Sequence, residues 1–564
     1  MPEKKRKQQS FEYGAIILLC STVLVKVIGA IFKIPLQSLI GTVGFGYFTS
    51  AYDLFASIYA LAMAGLPIAI SRVVAQNMAE KQYGGVRQSL KVTRKLFFFT
   101  GMLGFVLMLI LIYPFVKLTD PTGKTVYSLF AIAPAILFCC VMSTYRGYYE
   151  GLRNMYPTAV SDIIEALGKL VLGYGFAYIV MKINGNVAYA AAAAIFGITV
   201  GAAISALYMR LRFLIKGDGI TKEELAASPL IKTNRTAAKE LILIAIPVVL
   251  ASLANNVASL VDVSMVKWQL TGLTESNAEL LREMYASSIA DYNLSAKELL
   301  SNAEIPTFLY GVRGMAFTIY NLIPTITSVL GVSALPVLAS SWTMRDKPLI
   351  KRNIESTIKL TAIITMPAGL GFVALGSNIM GVLYNGVAAY DIGGSMLRIY
   401  GVAAIFAGLA IPMTSMLQAI GKQVISLRNV AIGAALKVIV NFVLVGMPDI
   451  NIKGAAVGTA VCYIFIFVAN LISIIKYTKV VPNFVKVLLK PFAAATVCAL
   501  CAYLVPVEKI VSGNTMITFG KIAVAAAVYL IVLILLNTFE ADDITALPKG
   551  EKLLKIAKKF KIVR

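Results

Sequence analysis

Histidine is absent from all 564 residues. Its absence removes a Ser-His triad, a His-ligated metal and a histidine proton relay together, and with them most catalytic readings. Cysteine is scarce. All six (Cys20, Cys139, Cys140, Cys462, Cys498, Cys501) fall inside apolar runs without metal-ligand or disulfide spacing, as small buried hydrophobes do. Charge is short too: 14% of residues are charged, and 28 acids face 52 bases for a formal net charge of +24. Such a balance raises nucleic acid as a partner. The bases, however, sit in short connections between apolar runs, so membrane topology accounts for them and no nucleic acid is expected.

What is abundant is apolar surface, 58% of the chain, with a mean hydropathy of +0.79. Runs of about 20 apolar residues, long enough to cross a hydrocarbon core of about 30 Å as helices, centre near residues 25, 58, 106, 137, 169, 198, 252, 325, 367, 406, 437, 464, 497 and 528. The first lacks a small-residue cleavage site and is followed by many equivalents, so it reads as a retained span rather than a signal peptide. Basic clusters occupy every second connection, from Lys4-Lys5-Arg6-Lys7 through Arg72 to Lys95 and onward to the tail. By the positive-inside rule both termini are expected to be cytoplasmic.

The expected fold is all-α and polytopic, with about fourteen transmembrane helices. The N-lobe covers residues 1–213, a cytoplasmic linker 214–239, and the C-lobe 240–478 with an external loop at 267–305. Two further spans cover 479–540 and a basic cytoplasmic tail 541–564, the latter patterned as an interfacial helix. An internal repeat supports two six-helix lobes in parallel topology. Ala64–Ser71 echoes Ser333–Ser340 at an offset of 269, Lys169 meets Lys437 at 268, and Ile183-Asn184 meets Ile450-Asn451 at 267.

Charges inside spans are costly, about 2.5–3.5 kcal/mol each on insertion scales, and therefore mark function. Lys26 and Lys33 are seven residues apart and so project from one helix face, with Pro35 a candidate bend. Asp162, Glu165 and Lys169 form one stripe, as an acid-first ion pair or as a gate. Arg313 opens the eighth span between Gly311 and Gly314, which permit a broken helix, and Lys437 stands one turn before Asn441 in the eleventh. Asp53 and Asp262, near outer helix ends, are expected to pair with Lys33 or Arg313 on outward closure. Arg72, Arg146 and Glu150 are candidates for an inner gate, with a solvated role as the alternative. The cation excess favours an anionic head group such as pyrophosphate over cationic drugs. A cation-coupled multidrug exporter, a polytopic envelope glycosyltransferase and a non-transporting scaffold are the competing classes.

Three segments carry a family resemblance: Val25-Lys26-Val27-Ile28-Gly29 through Lys33, Gly65-Leu66-Pro67-Ile68-Ala69-Ile70-Ser71-Arg72, and Arg146-Gly147-Tyr148-Tyr149-Glu150-Gly151-Leu152-Arg153-Asn154-Met155-Tyr156-Pro157. With these the chain resembles the lipid flippases of the multidrug/oligosaccharidyl-lipid/polysaccharide exporter (MOP) superfamily, in the stage V sporulation protein B-like and lipid II flippase branch. The resemblance implies alternating access in the bacterial cytoplasmic membrane, no enzymatic activity, and no cofactor. The implied cargo is lipid II or a related lipid-linked oligosaccharide, with envelope-synthesis proteins as conceivable partners and the two last helices forming a lipid-tail groove. It places the substrate's pyrophosphate on Lys26, Lys33 and Arg313, and the charge pattern adds Lys169 and Lys437 to the expected cavity. Some relatives hold sodium between acids of the seventh and eleventh spans; Lys437 and Asn441 stand in the eleventh here without an acid, so no metal site is expected.

Overall fold

The computed structural model describes residues 11–538 apart from 64, 229–232, 297–298, 385 and 506–513, and not the side chains of 11–16, 19, 66, 247–259 and 514. The basic cluster Lys4–Lys7 and the tail 541–564 lie outside these residues. Among the described residues every regular element is a helix. In order they are α1 (Phe11–Met63), α2 (Leu66–Ala79), α3 (Tyr83–Thr119), α4 (Thr125–Ile132), α5 (Ala135–Gly151) and α6 (Tyr156–Gly168). Next come α7 (Tyr174–Asn184), α8 (Val187–Lys216), α9 (Lys222–Ala226), α10 (Asn234–Met284), α11 (Ala286–Ala296), α12 (Ile305–Tyr320) and α13 (Leu322–Thr343). The last are α14 (Lys347–Leu383), α15 (Gly394–Ala419), α16 (Gln423–Val445), α17 (Lys453–Thr478), α18 (Lys490–Leu504) and α19 (Asn514–Leu535). Among the described residues twelve candidate spans are long and apolar enough to cross a bilayer, where about fourteen were expected of the whole chain. One of them, Cys20–Ala79, takes in a break at Gly41.

The breaks follow backbone chemistry. Gly41 has φ 68°, which only glycine adopts cheaply, and it interrupts α1 six residues after Pro35. Pro35 itself is accommodated inside α1, so the expected bend falls at the glycine. Gly65 (φ 80°) separates α1 from α2, whose first turn carries Pro67. At the start of α8, Gly185 turns left-handed and the Asn186 carbonyl oxygen accepts the N–H groups of Ala188 (2.9 Å) and Tyr189 (3.3 Å), a side-chain N-cap. The eighth span is broken at Asn321, between α12 and α13, rather than at the glycines flanking Arg313.

The chain forms two compact units, Met1–Ser276 with Leu300–Gly311, and Asn277–Leu299 with Val312–Arg564. In the first, α1 packs on α6 and α8, while α5 contacts α2, α3 and α8. Small residues set these distances, as they must where lipid supplies no hydrophobic drive between helices. A Cβ on Gly168 would lie 2.6 Å from the Cα of Gly201, and one on Gly151 would lie 2.7 Å from the carbonyl oxygen of Ser71. Gly173 meets Gly197 as closely, where residues Lys169–Gly173 form a π-helical turn between α6 and α7. The segment after α8 is tied back to the same unit. Asp218 accepts Arg87 Nε (3.1 Å) and Nη2 (3.2 Å), the Tyr148 hydroxyl (2.8 Å) and the Ile220 N–H (3.0 Å). Burial pushes the Asp218 carboxyl up, but these donors outweigh it and hold its pKa below the usual carboxylate range.

In the second unit α15 packs among α13, α14 and α17, and α18 and α19 pack on α14 and on each other. A polar ladder crosses its interior: Asn429 donates to Asn470 Oδ1 (3.0 Å) and Ser473 Oγ (3.3 Å), and Asn470 donates to Thr414 Oγ1 (2.9 Å). The segment expected as an external loop is largely helical. α10 continues to Met284 with one non-helical residue, Asn277, and α11 follows. It is held by the Tyr285 hydroxyl on Asn451 Oδ1 (2.6 Å) and by Asp291 Oδ2 accepting the Val387 N–H (2.8 Å).

Two outcomes test this packing. Gly201→Val places branched carbons where Glu165 and Gly168 already lie within 3.1–3.3 Å; it should destabilise by about 1–3 kcal/mol, seen as a lower Tm in detergent, whereas Gly175→Ala, with nothing within 4 Å, should be neutral. The Asp218 tether contributes above the unfolded carboxylate pKa of about 3.9 and is lost as pH falls through the lower folded value. Limited proteolysis with an acid-active protease should therefore cut wild-type 219–228 faster only below about pH 4, and Asp218→Asn at every pH.

Candidate functional site

The polar residues of the first unit gather on α1, α5 and α6. Arg146, on α5, is their centre. Its Nη1 lies 2.8 Å from Asp162 Oδ1, its Nη2 3.3 Å from Glu165 Oε2, and its Nε donates to Ser161 Oγ at 2.7 Å. Glu165 Oε1 in turn lies 3.1 Å from Lys169 Nζ, completing the pair that the four-residue spacing predicts. Lys169 opens the π-helical turn, a local widening that frequently marks functional sites in helices. The ladder Asp162–Arg146–Glu165–Lys169 leaves one expected cavity cation, Lys169, and one expected gate residue, Arg146, internally neutralised. Glu150 stands within electrostatic reach of Arg146, beside the same ladder.

On α1, Lys33 is half-buried with its ammonium 5.4 Å from the centre of the Tyr52 ring, within electrostatic reach of Asp53, Lys26 and Lys169. Asp53 accepts the Tyr310 hydroxyl at 2.8 Å. Asp53 thus stands within electrostatic reach of Lys33 while its hydrogen bond is to Tyr310. Lys26, two turns earlier, is exposed. Arg72 on α2 is exposed as well, and Asp262 on α10 is buried.

Sequence reading missed Lys267. Taken there as the first base of a loop, it lies inside α10 with no exposure. Its ammonium has no hydrogen-bond acceptor and instead packs 5.6 Å from the Tyr310 ring and 5.9 Å from the Phe115 ring, with Asp120 and Asp53 within electrostatic reach. Asp120 itself caps the start of α4 through Thr125 N–H (2.8 Å) and Thr122 N–H (3.1 Å). Burial pushes its carboxyl up, but Lys267 and the threonine donors prevail and hold its pKa low. The signal available was the apolar periodicity of 260–273, which continues past Lys267 without a turn residue until Gly272.

In the second unit Arg313 is buried, with its guanidinium 5.2 Å from the Phe317 ring, next to the Tyr320 and Tyr400 rings (centroids 5.0 Å apart). Lys437 is half-buried on α16, and Asn441 one turn on is fully buried where only glycine fits opposite, at Gly458. Arg398 is exposed and donates to Ser377 (3.2 Å).

A family model described as polysaccharide biosynthesis protein matches residues 13–342, more than half of the sequence. The chain belongs to that family. A second model, lipid II flippase MurJ, matches residues 310–525. The chain is 23% identical over 555 residues to stage V sporulation protein B of Bacillus subtilis (strain 168), covering 96% of this chain and 98% of that one. It is 23% identical over 465 residues to lipid II flippase MurJ of the same organism, 80% of each. Among solved structures, lipid II flippase MurJ in an inward closed conformation superposes with a TM-score of 0.65 at 14% identity, over 92% of this chain and 98% of that one. A multidrug resistance MATE family transporter of the MOP superfamily, inward-facing, gives 0.59 at 15%, over 81% and 99%. These structural likenesses attest the fold. The family and these relatives support a lipid flippase, a transporter rather than an enzyme.

Removing the ladder's centre should be costly. Arg146→Gln leaves the half-buried Asp162 without its cation and Glu165 with Lys169 alone, a loss approaching the ~3–5 kcal/mol of a fully buried pair. Thermal unfolding in detergent should show a large fall in Tm, and the double change Arg146→Gln with Asp162→Asn should recover part of it.

Proposed function

We propose that the protein moves an undecaprenyl-pyrophosphate-linked peptidoglycan precursor, or a related lipid-linked oligosaccharide, from the inner to the outer leaflet of the cytoplasmic membrane by alternating access, with both termini cytoplasmic. One observation carries the reading. Lys26 stands near the middle of the first arm of α1, about 22 Å along the helix from Phe11, yet it is exposed. A lysine facing acyl chains at that depth is disfavoured, so its surroundings are a watery, anion-accepting cavity. Lys33 shares its face two turns on, and a pyrophosphate carries enough charge for both. Arg313 and Lys437 are the corresponding cations of the second unit, and within the first unit Asp53 is the acid that answers Lys33 during gating.

The carboxylates that a cationic drug needs are engaged: Asp162 and Glu165 by Arg146 and Lys169, Asp53 by Tyr310. That disfavours the multidrug reading. An electrogenic step driven by membrane potential follows if the fixed cations move with the head group.

Complementation tests the proposal. In a strain depleted of its lipid II flippase the wild-type chain should restore growth and outer-leaflet lipid II. Lys26→Gln and Lys33→Gln should each lower flipping at least tenfold at equal membrane abundance, and Lys33→Arg should keep most of it. Rescue only of a strain lacking a capsule flippase would move the substrate to another oligosaccharide lipid. Full flipping by the double Gln variant would overturn the cationic-cavity reading.

A further inference from the structure

The first unit has a second basic feature, away from the ladder. A groove of about 650 Å³ lies over α5, with α3 and α8 as its walls. Lys91, Arg94 and Lys95 reach into it from α3 and Arg210 from α8, while Val141, Thr144 and Tyr145 of α5 form its floor. Phe98 and Phe99 extend the α3 wall and are 52% and 69% exposed, large apolar rings turned outward.

We propose that this groove binds an anionic glycerophospholipid of the inner leaflet, phosphate on the cations and acyl chain along the phenylalanines. The spacing supports it. Lys91, Arg94, Lys95 and Phe98 follow at intervals of three, four and seven residues and therefore share one face of α3. Phe98 sits about 10 Å further along the axis than Lys91, so charge occupies one level and apolar surface the next, the order in which a lipid presents head group and chain. Arg94 is oriented by Tyr145, whose buried ring lies 6.0 Å from its guanidinium. No acidic residue lines the groove, and none of the four cations is ion-paired among the described residues. Four like charges converging on one hollow repel each other unless an anion sits among them. A volume of this size lies in the range of small-molecule sites, and basic pockets between helices at the cytoplasmic side are the usual seats of anionic head groups. The inference is independent of the transported substrate.

The test uses the full chain purified in detergent, with retained lipid read by native mass spectrometry after adding phosphatidylglycerol or phosphatidylcholine of identical chains. The wild type should retain phosphatidylglycerol at least tenfold better. The variant Lys91→Gln/Arg94→Gln/Lys95→Gln/Arg210→Gln should lose that preference, and a control removing four exposed bases elsewhere, Arg345→Gln/Lys347→Gln/Lys476→Gln/Lys479→Gln, should keep it. Val141→Trp fills the floor without touching charge and should lose the preference too, which gives the same reading if the quadruple variant folds poorly. Equal retention of the two lipids by the wild type, or equal losses in groove and control variants, would overturn the proposal.

Discussion

The arrangement of the first unit depends on one guanidinium. Arg146 uses three nitrogens on three partners, Asp162, Glu165 and Ser161, all on α6. In a low-dielectric interior such a group is tolerable only when its charge and its donors are answered together. The two carboxylates on α6 are equally dependent on it. Because α5 supplies the cation and α6 the acids, the register between these helices is fixed electrostatically, and Lys169 is delivered at a defined height through Glu165.

Close backbone approach makes the ladder possible. α8 can lie against α6 because Gly201 faces Gly168, and against the π-helical turn because Gly197 faces Gly173. Side chains at those places would push α6 away and lengthen every charged contact that it carries. The second unit solves the same problem with neutral groups, in the amide ladder Asn429–Asn470–Thr414, where mutual satisfaction replaces ion pairing.

Much of this was legible in the sequence where the signal was local. Glu165–Lys169 is readable from a four-residue spacing, and the helical class from apolar run length. What escaped depends on contacts across elements. Nothing near Arg146 in sequence says that it centres a ladder 15 to 19 residues downstream, so it read equally well as a gate or a solvated helix end. Lys267 read as the start of a loop because a charge ends an apolar run; only Phe115, Tyr310 and Asp120, from remote segments, make its burial affordable. Pro35 was the obvious place for a bend, yet the break falls at Gly41, since a proline costs a helix one hydrogen bond while a left-handed residue ends its geometry.

These placements divide the intramembrane cations by chemistry. Arg146 is held by acids on a neighbouring helix and Lys169 by the acid one turn before it, and both are fixed parts of the scaffold. Lys267 is held by aromatic faces, an environment that tolerates charge without neutralising it. Lys33 lies over the Tyr52 ring with Asp53 and Lys26 within electrostatic reach, Lys26 is exposed, and both sit on the arm of α1 that ends at Gly41. In the function proposed above, a phosphate between them would relieve the repulsion of two like charges. Lys169, also within electrostatic reach of Lys33, is committed to Glu165 and through it to Arg146, so its charge is already answered inside the scaffold.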